Sequence, residues 1–192
     1  MYRFQIYNKK FYKNNVEGAI NSALAFADFI NTYLRPNSVV DVGCALGLFL
    51  SELEKSGIKQ IIGIDGEWVN KNRLFINPDN FISADIRNPI NINRKFDLAI
   101  CLDGVHHVNC RWQSYWAKKF QKRGYSLIDI RRVIWGNKKI ADLYKQKTML
   151  YVKTGLLHKY SSLIKEVEKG IIIDMVHLHS YSHFKDPETT PS

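Results

Sequence analysis

Over residues 16–34, Ala19, Ile20, Ala23, Phe26, Ala27, Ile30 and Leu34 recur at three- and four-residue spacings, one apolar stripe that predicts an amphipathic helix. Arg35-Pro36-Asn37-Ser38 stops it. The period then changes. Val39-Val-Asp-Val-Gly43 is a β-branched run of the kind found in a strand buried on both faces. A glycine-bearing turn follows, and 46–56, with Gly57 behind it, reads as a helix ended by a glycine cap. Residues 60–64, 80–84 and 96–102 read as further strands, with a short helix or loop at 69–74. Strands alternating with helices imply right-handed crossovers and a Rossmann-like, doubly wound, mostly parallel α/β sheet, with ligands bound outside the carboxyl ends of the strands.

Beyond Asp103 the alternation is less regular. Residues 110–122 form a helix with Trp112, Tyr115, Trp116 and Phe120 on one face, closed by Gly124. The pattern predicts a strand over 125–135, a short helix over 140–146, a last core strand over 148–152 and a helix over 160–168. The domain proper is read as 1–153 and the remainder, 154–192, as an appendage.

The chain has 192 residues, 45% of them hydrophobic and 24% charged. At roughly 150 residues per domain this is one domain plus an extension with a sizeable core. No apolar run approaches a membrane span, and no signal-peptide core stands at the N-terminus, so the expected compartment is cytoplasmic with no membrane partner. Cys44, Cys101 and Cys110 lack C-x-x-C spacing and read as reduced thiols. The net charge of +10 favours a polyanionic partner or only solvates the surface. Much of it sits in Arg111, Lys118, Lys119, Lys122, Arg123, Arg131, Arg132, Lys138, Lys139, Lys145 and Lys147, against Asp129 and Asp142 alone. RNA binding there competes with a solvated outer helix face, and the second is favoured.

The sharpest constellation is Asp41-x-Gly43-x-Ala45-x-Gly47, where a strand exits and a helix begins. Small residues let the backbone approach a ligand closely, and the helix N-terminus offers N–H groups to an anion. A nicotinamide turn would be spaced G-x-G-x-x-G; small residues at every second position after an aspartate resemble the S-adenosylmethionine (SAM) turn of class I methyltransferases. Three further elements follow in that family's order. The resemblance implies that Asp65, ending the second strand, takes the ribose hydroxyls, and that Asp85 and Ile86 supply an acidic side chain and a backbone N–H to the adenine. Asp103 would end the fourth strand beside the sulfonium. Phe11-Tyr12 with Ser22-Ala23, Ser38 to Cys44, Asp65-Gly-Glu-Trp-Val69, and His107-Val-Asn109 with Trp112 and Ser114-Tyr-Trp116 are similar to a group of small bacterial methyltransferases. Trp68 is accordingly a candidate wall for the adenine.

Two features depart from the family pattern. Ala45 stands where the second glycine would be, and only Gly104-Val105-His106 separates Asp103 from the His-Val-Asn segment, too little for a helix and a strand. The core is expected to lack one helix–strand unit. His107, with His106 and Asp103, is the candidate catalytic set, since an oxygen nucleophile needs a base. The expected reaction is methyl transfer from SAM to a small-molecule or sugar-like acceptor. The rivals are a degenerate, non-catalytic binding protein of this fold and an RNA-directed methyltransferase. Amino- and cytosine-C5-methyltransferases of nucleobases are disfavoured for want of an Asp/Asn-Pro-Pro-aromatic or Pro-Cys element. The Lys-Asp-Lys-Glu ribose enzymes are disfavoured because no glutamate falls between Glu67 and Glu166. His177, His179 and His183 are spaced H-x-H-x-x-x-H, but with no further ligand beside them no metal site is expected.

Overall fold

The computed structural model describes residues 9–102 and 112–167. The chain divides into two compact units, Met1–His106 and His107–Ser192.

In the first unit, α1 (Lys9–Tyr33) buries Ala23, Phe26, Ala27 and Ile30 of the expected stripe. It ends where Arg35 turns left-handed (φ 48) and the N–H groups of Leu34 and Arg35 both cap the Ile30 carbonyl at 2.9 Å, with Pro36 unable to continue the helix. Strands β1 (Ser38–Val42), β2 (Gln60–Asp65), β3 (Phe81–Ser83) and β4 (Leu98–Ile100) form a wholly parallel sheet in the order β3-β2-β1-β4. Helix α2 (Leu48–Lys55) supplies the β1–β2 crossover, buries Leu50 and Leu53, and packs Phe49 against Phe26 of α1 at 5.9 Å between ring centroids. Asp41 pairs in register with Gly63, and Asp65 with Ser83. The carboxyl ends of β1, β2 and β3 therefore share one edge. At the other edge Asp97 is consumed structurally: its Oδ2 accepts the N–H groups of Asn37 and Ser38 (2.9 and 3.1 Å) and the Ser38 hydroxyl (3.2 Å), tying the start of β4 to the start of β1.

In the second unit, α3 (Gln113–Gln121) leads through Gly124 (φ 77) into β5 (Tyr125–Ile128), which pairs antiparallel with β6 (Leu150–Lys153). The strand expected over 125–135 stops early. After Ile128, Asp129 accepts the Arg131 backbone N–H and clasps its guanidinium through two bonds (2.8 and 2.7 Å), turning the chain into the short helix α4 (Arg131–Ile134). Ile130 and Ile134, four apart, are both buried, so a run with strand-like composition has helical spacing. Helix α5 (Asp142–Lys147) precedes β6; a 3-10 segment, Thr154–Tyr160, and α6 (Ser161–Val167) follow it, with Leu163 and Val167 buried.

This unit also corrects the picture of a uniformly solvated basic segment. Arg131 is fully buried in its ion pair with Asp129, and Lys145 is buried with its ammonium 3.0 Å from Asp142. Among the described residues no helix is long and apolar enough to cross a membrane.

Candidate functional site

The site is built at the carboxyl edge of β1 and β2. As β1 ends, the N–H groups of Gly43 and Cys44 both donate to the Ile64 carbonyl (2.8 and 3.2 Å), so the turn is hung on the end of β2. The turn passes through three left-handed residues at alternate positions, Gly43 (φ 83), Ala45 (φ 49) and Gly47 (φ 78). A Cβ at Gly43 would meet nothing within 4 Å, so its surroundings are open; one at Gly47 would press on Ile76 at 3.0 Å. Gly47 starts α2 without a side-chain cap, leaving the first-turn N–H groups to whatever occupies the edge.

Ala45 is the one residue of the three with a side chain to strain. The left-handed conformation costs an L-residue about 1–2 kcal/mol, while glycine gives back part of that in unfolded-chain entropy. Ala45→Gly is expected to raise unfolding stability by about 0.5–1 kcal/mol in urea denaturation. A loss would mean that the methyl group packs favourably.

Asp65 is nearly buried, and both its oxygens are already engaged: Oδ2 accepts the Ala45 N–H and Oδ1 the Gly66 N–H, each at 2.7 Å. Each oxygen keeps a further lone-pair site for a hydroxyl. Asp41, one strand away, is buried. Burial, and secondarily the Asp65 charge, push its carboxyl up to about 7. A carboxylate so placed is held at a cost that a bound cation would relieve. Cys44 sits between them, its thiol also pushed up by burial and by both aspartates.

The half-exposed Trp68 folds its ring back over Gly66, so closely that a Cβ there would meet the ring's far edge at 2.1 Å. Past β3, Ala84 donates its N–H to the Asp65 carbonyl at 2.8 Å, which brings Asp85 and Ile86 to the same edge. Asp85 is partly exposed and forked onto Arg87 through Nε (2.8 Å) and Nη2, and Ile86 is exposed. The structure thus gathers Asp41, Gly43, Ala45, Gly47, Asp65, Trp68, Asp85 and Ile86 along the carboxyl ends of three adjacent strands. Asp103, His106 and His107 lie outside the described residues, as do His177, His179 and His183.

Sequence reasoning passed over three supports of this edge. The Phe75 N–H donates to the Leu46 carbonyl at 2.9 Å, Ile76 fills the space under Gly47 and Gly63, and Gly66 makes room for Trp68. Only the glycine carried a signal, by standing directly after the strand-ending aspartate.

Comparison with known proteins matches residues 14–133 to the family model described as "Methyltransferase domain". The chain belongs to this methyltransferase family. Membership agrees with the parallel α/β sheet. Two solved structures are similar to this methyltransferase domain. A candidate O-methyltransferase from Nostoc punctiforme is 16% identical with a TM-score of 0.45, covering 84% of this chain and 54% of that one. The plantazolicin methyltransferase BpumL, solved with S-adenosylhomocysteine (SAH), is 17% identical with a TM-score of 0.40, covering 83% and 67%. The domain therefore spans about half the length of the first. No curated protein is significantly similar to the chain.

Proposed function

We propose that this protein is a SAM-dependent methyltransferase, with residues 1–153 as its core and 154–192 as an appendage, acting on a small-molecule or sugar-like acceptor. The observation that carries the reading is the carboxylate pair, Asp65 fixed by two backbone N–H groups with the buried Asp41 one strand away. When bound, SAM supplies an electrophilic methyl carbon that an acceptor nucleophile displaces in line.

The chain's own residues divide the remaining work. Asp65 accepts the two ribose hydroxyls with its spare lone pairs, and Asp41 faces the cationic methionine end. The open Gly43 and the uncapped start of α2 let backbone N–H groups approach the carboxylate of the methionine moiety. Trp68 walls the adenine, which Asp85 and the Ile86 N–H read at its edge. His107 is the base that takes the acceptor's proton, and Asp103 and His106 complete the candidate catalytic set. Twelve residues, 101–112, separate β4 from α3, which supports a core shortened at that crossover. Calorimetric titration of the chain with SAM and SAH tests the reading; heats indistinguishable from dilution for both would overturn it.

Gly66→Ala separates cofactor binding from folding. The backbone of Gly66 lies outside the left-handed region, and the ring it would strike is half-exposed and free to swing away. Stability is expected to stay within about 1 kcal/mol, while SAM affinity falls about three- to tenfold as the stacking wall is displaced. Unchanged affinity would remove Trp68 from the site.

A further inference from the structure

The second unit carries a charge pattern that methyl transfer does not use. Between residues 112 and 140, Lys118, Lys119, Lys122, Arg123, Arg132, Lys138 and Lys139 are all exposed. The one acidic residue of that stretch, Asp129, is buried and clasped by Arg131. No carboxylate of the segment reaches its surface beside Lys118, Lys119, Lys122 and Arg123.

On α3 the pattern has a defined face. With the helical rotation of about 100° per residue carried from the N-cap Trp112 to the C-cap Lys122 and the following Arg123, Lys118, Lys119, Lys122 and Arg123 fall within an arc of about 140° that also takes in Tyr115 and Trp112. The Lys119 ammonium rests 5.2 Å above the Tyr115 ring, and Trp112 is 52% exposed. Phe120 points the other way, so the aromatic residues expected on one face of this helix divide between two. It stacks on Tyr151 of β6 at 4.1 Å and meets Tyr125 of β5 edge-on at 5.8 Å, anchoring the helix to the hairpin and fixing which side turns outward.

A row of cations beside an exposed indole is the chemistry that tracks a phosphate backbone and stacks an unpaired base. We propose that the outer face of α3 binds a single-stranded polynucleotide, with Lys118, Lys119, Lys122 and Arg123 pairing with phosphates and Trp112 stacking on a base. A duplex leaves no base for Trp112. A membrane surface fits less well, because the outward arc holds no continuous apolar band to insert. The site lies wholly within the second unit and does not rest on the cofactor reading.

The test is fluorescence anisotropy of a labelled 20-nucleotide single strand with the full chain and no cofactor, between 50 and 200 mM NaCl. Four phosphate contacts give a slope of log affinity against log salt of about −2.8, which is about a 50-fold loss across that range. The double variant Lys119→Gln with Lys122→Gln is expected to halve the slope. Trp112→Ala is expected to lower single-strand affinity about fivefold or more with the slope kept and duplex affinity unchanged. Lys59→Gln, an exposed charge on the first unit, is expected to change nothing. The proposal is overturned by no binding at 50 mM, by an unaltered slope in the double variant, by a Trp112→Ala variant that binds as wild type, or by tighter binding to phosphatidylserine vesicles than to the strand.

Discussion

Asp65→Ala is expected to weaken SAM binding at least a hundredfold. Two hydroxyls donating to a carboxylate in a partly dehydrated site are worth about 1.5–3 kcal/mol each, and both are lost together. The variant also releases the Ala45 and Gly66 N–H groups that the carboxylate holds at 2.7 Å, so the turn that cradles the cofactor loses its tie to the end of β2. Asp65→Asn separates the two contributions: the amide keeps one accepting oxygen but turns a donor toward the other N–H, so an intermediate loss is expected. Calorimetry with SAM and SAH reads both variants. A loss below tenfold for Asp65→Ala would take Asp65 out of the site.

The second large effect is a pH dependence set by Asp41. Its carboxyl, pushed up to about 7 in the folded chain, lies well above its unfolded value of 3.8. Between those two pH values the native state holds a proton that the unfolded chain has released, so this group's contribution to stability falls as pH rises from about 4 to about 7 and is level above. Cofactor binding runs the opposite way. Only the ionised carboxylate pairs with a cation, so SAM affinity is expected to fall about 20-fold from pH 7.5 to pH 5.5, and Asp41→Asn is expected to flatten the profile. A wild-type profile as flat as that of the variant would show that no cation comes to rest against Asp41.

Both effects arise in the part of the molecule that the sequence reveals best. β-Branched runs in a buried parallel sheet, each followed by a turn, announce β1 and β2 within one or two residues of where they form, and Asp41 and Asp65 stand at their ends. Neighbouring strands of a parallel sheet put successive strand-ending residues side by side, so the site follows from the topology. What spacing does not carry is the pairing of charges. Nothing in the order Asp129-Ile130-Arg131 distinguishes a solvated arginine from one clasped in the core, and that clasp ends β5 where composition alone continues the strand to Trp135. Nor does spacing show that Asp97, an aspartate like Asp65, is spent on the opposite edge of the sheet, or that Phe75 and Ile76 brace the turn from a segment thirty residues away.

Cys44 turns the same architecture into a clock. Its sulfur sits where a Cβ on Gly63 would meet it at 2.7 Å, and burial, with the charges of Asp41 and Asp65 second, holds it as the unreactive thiol. Alkylating reagents attack only thiolate, so modification of this residue has to wait until the turn lifts off β2. Exposed Cys101 reacts without that wait. Read residue by residue, the lag of Cys44 labelling behind Cys101 counts how often the cofactor cradle opens, and a ligand that grips the cradle would slow the count without any contact to sulfur.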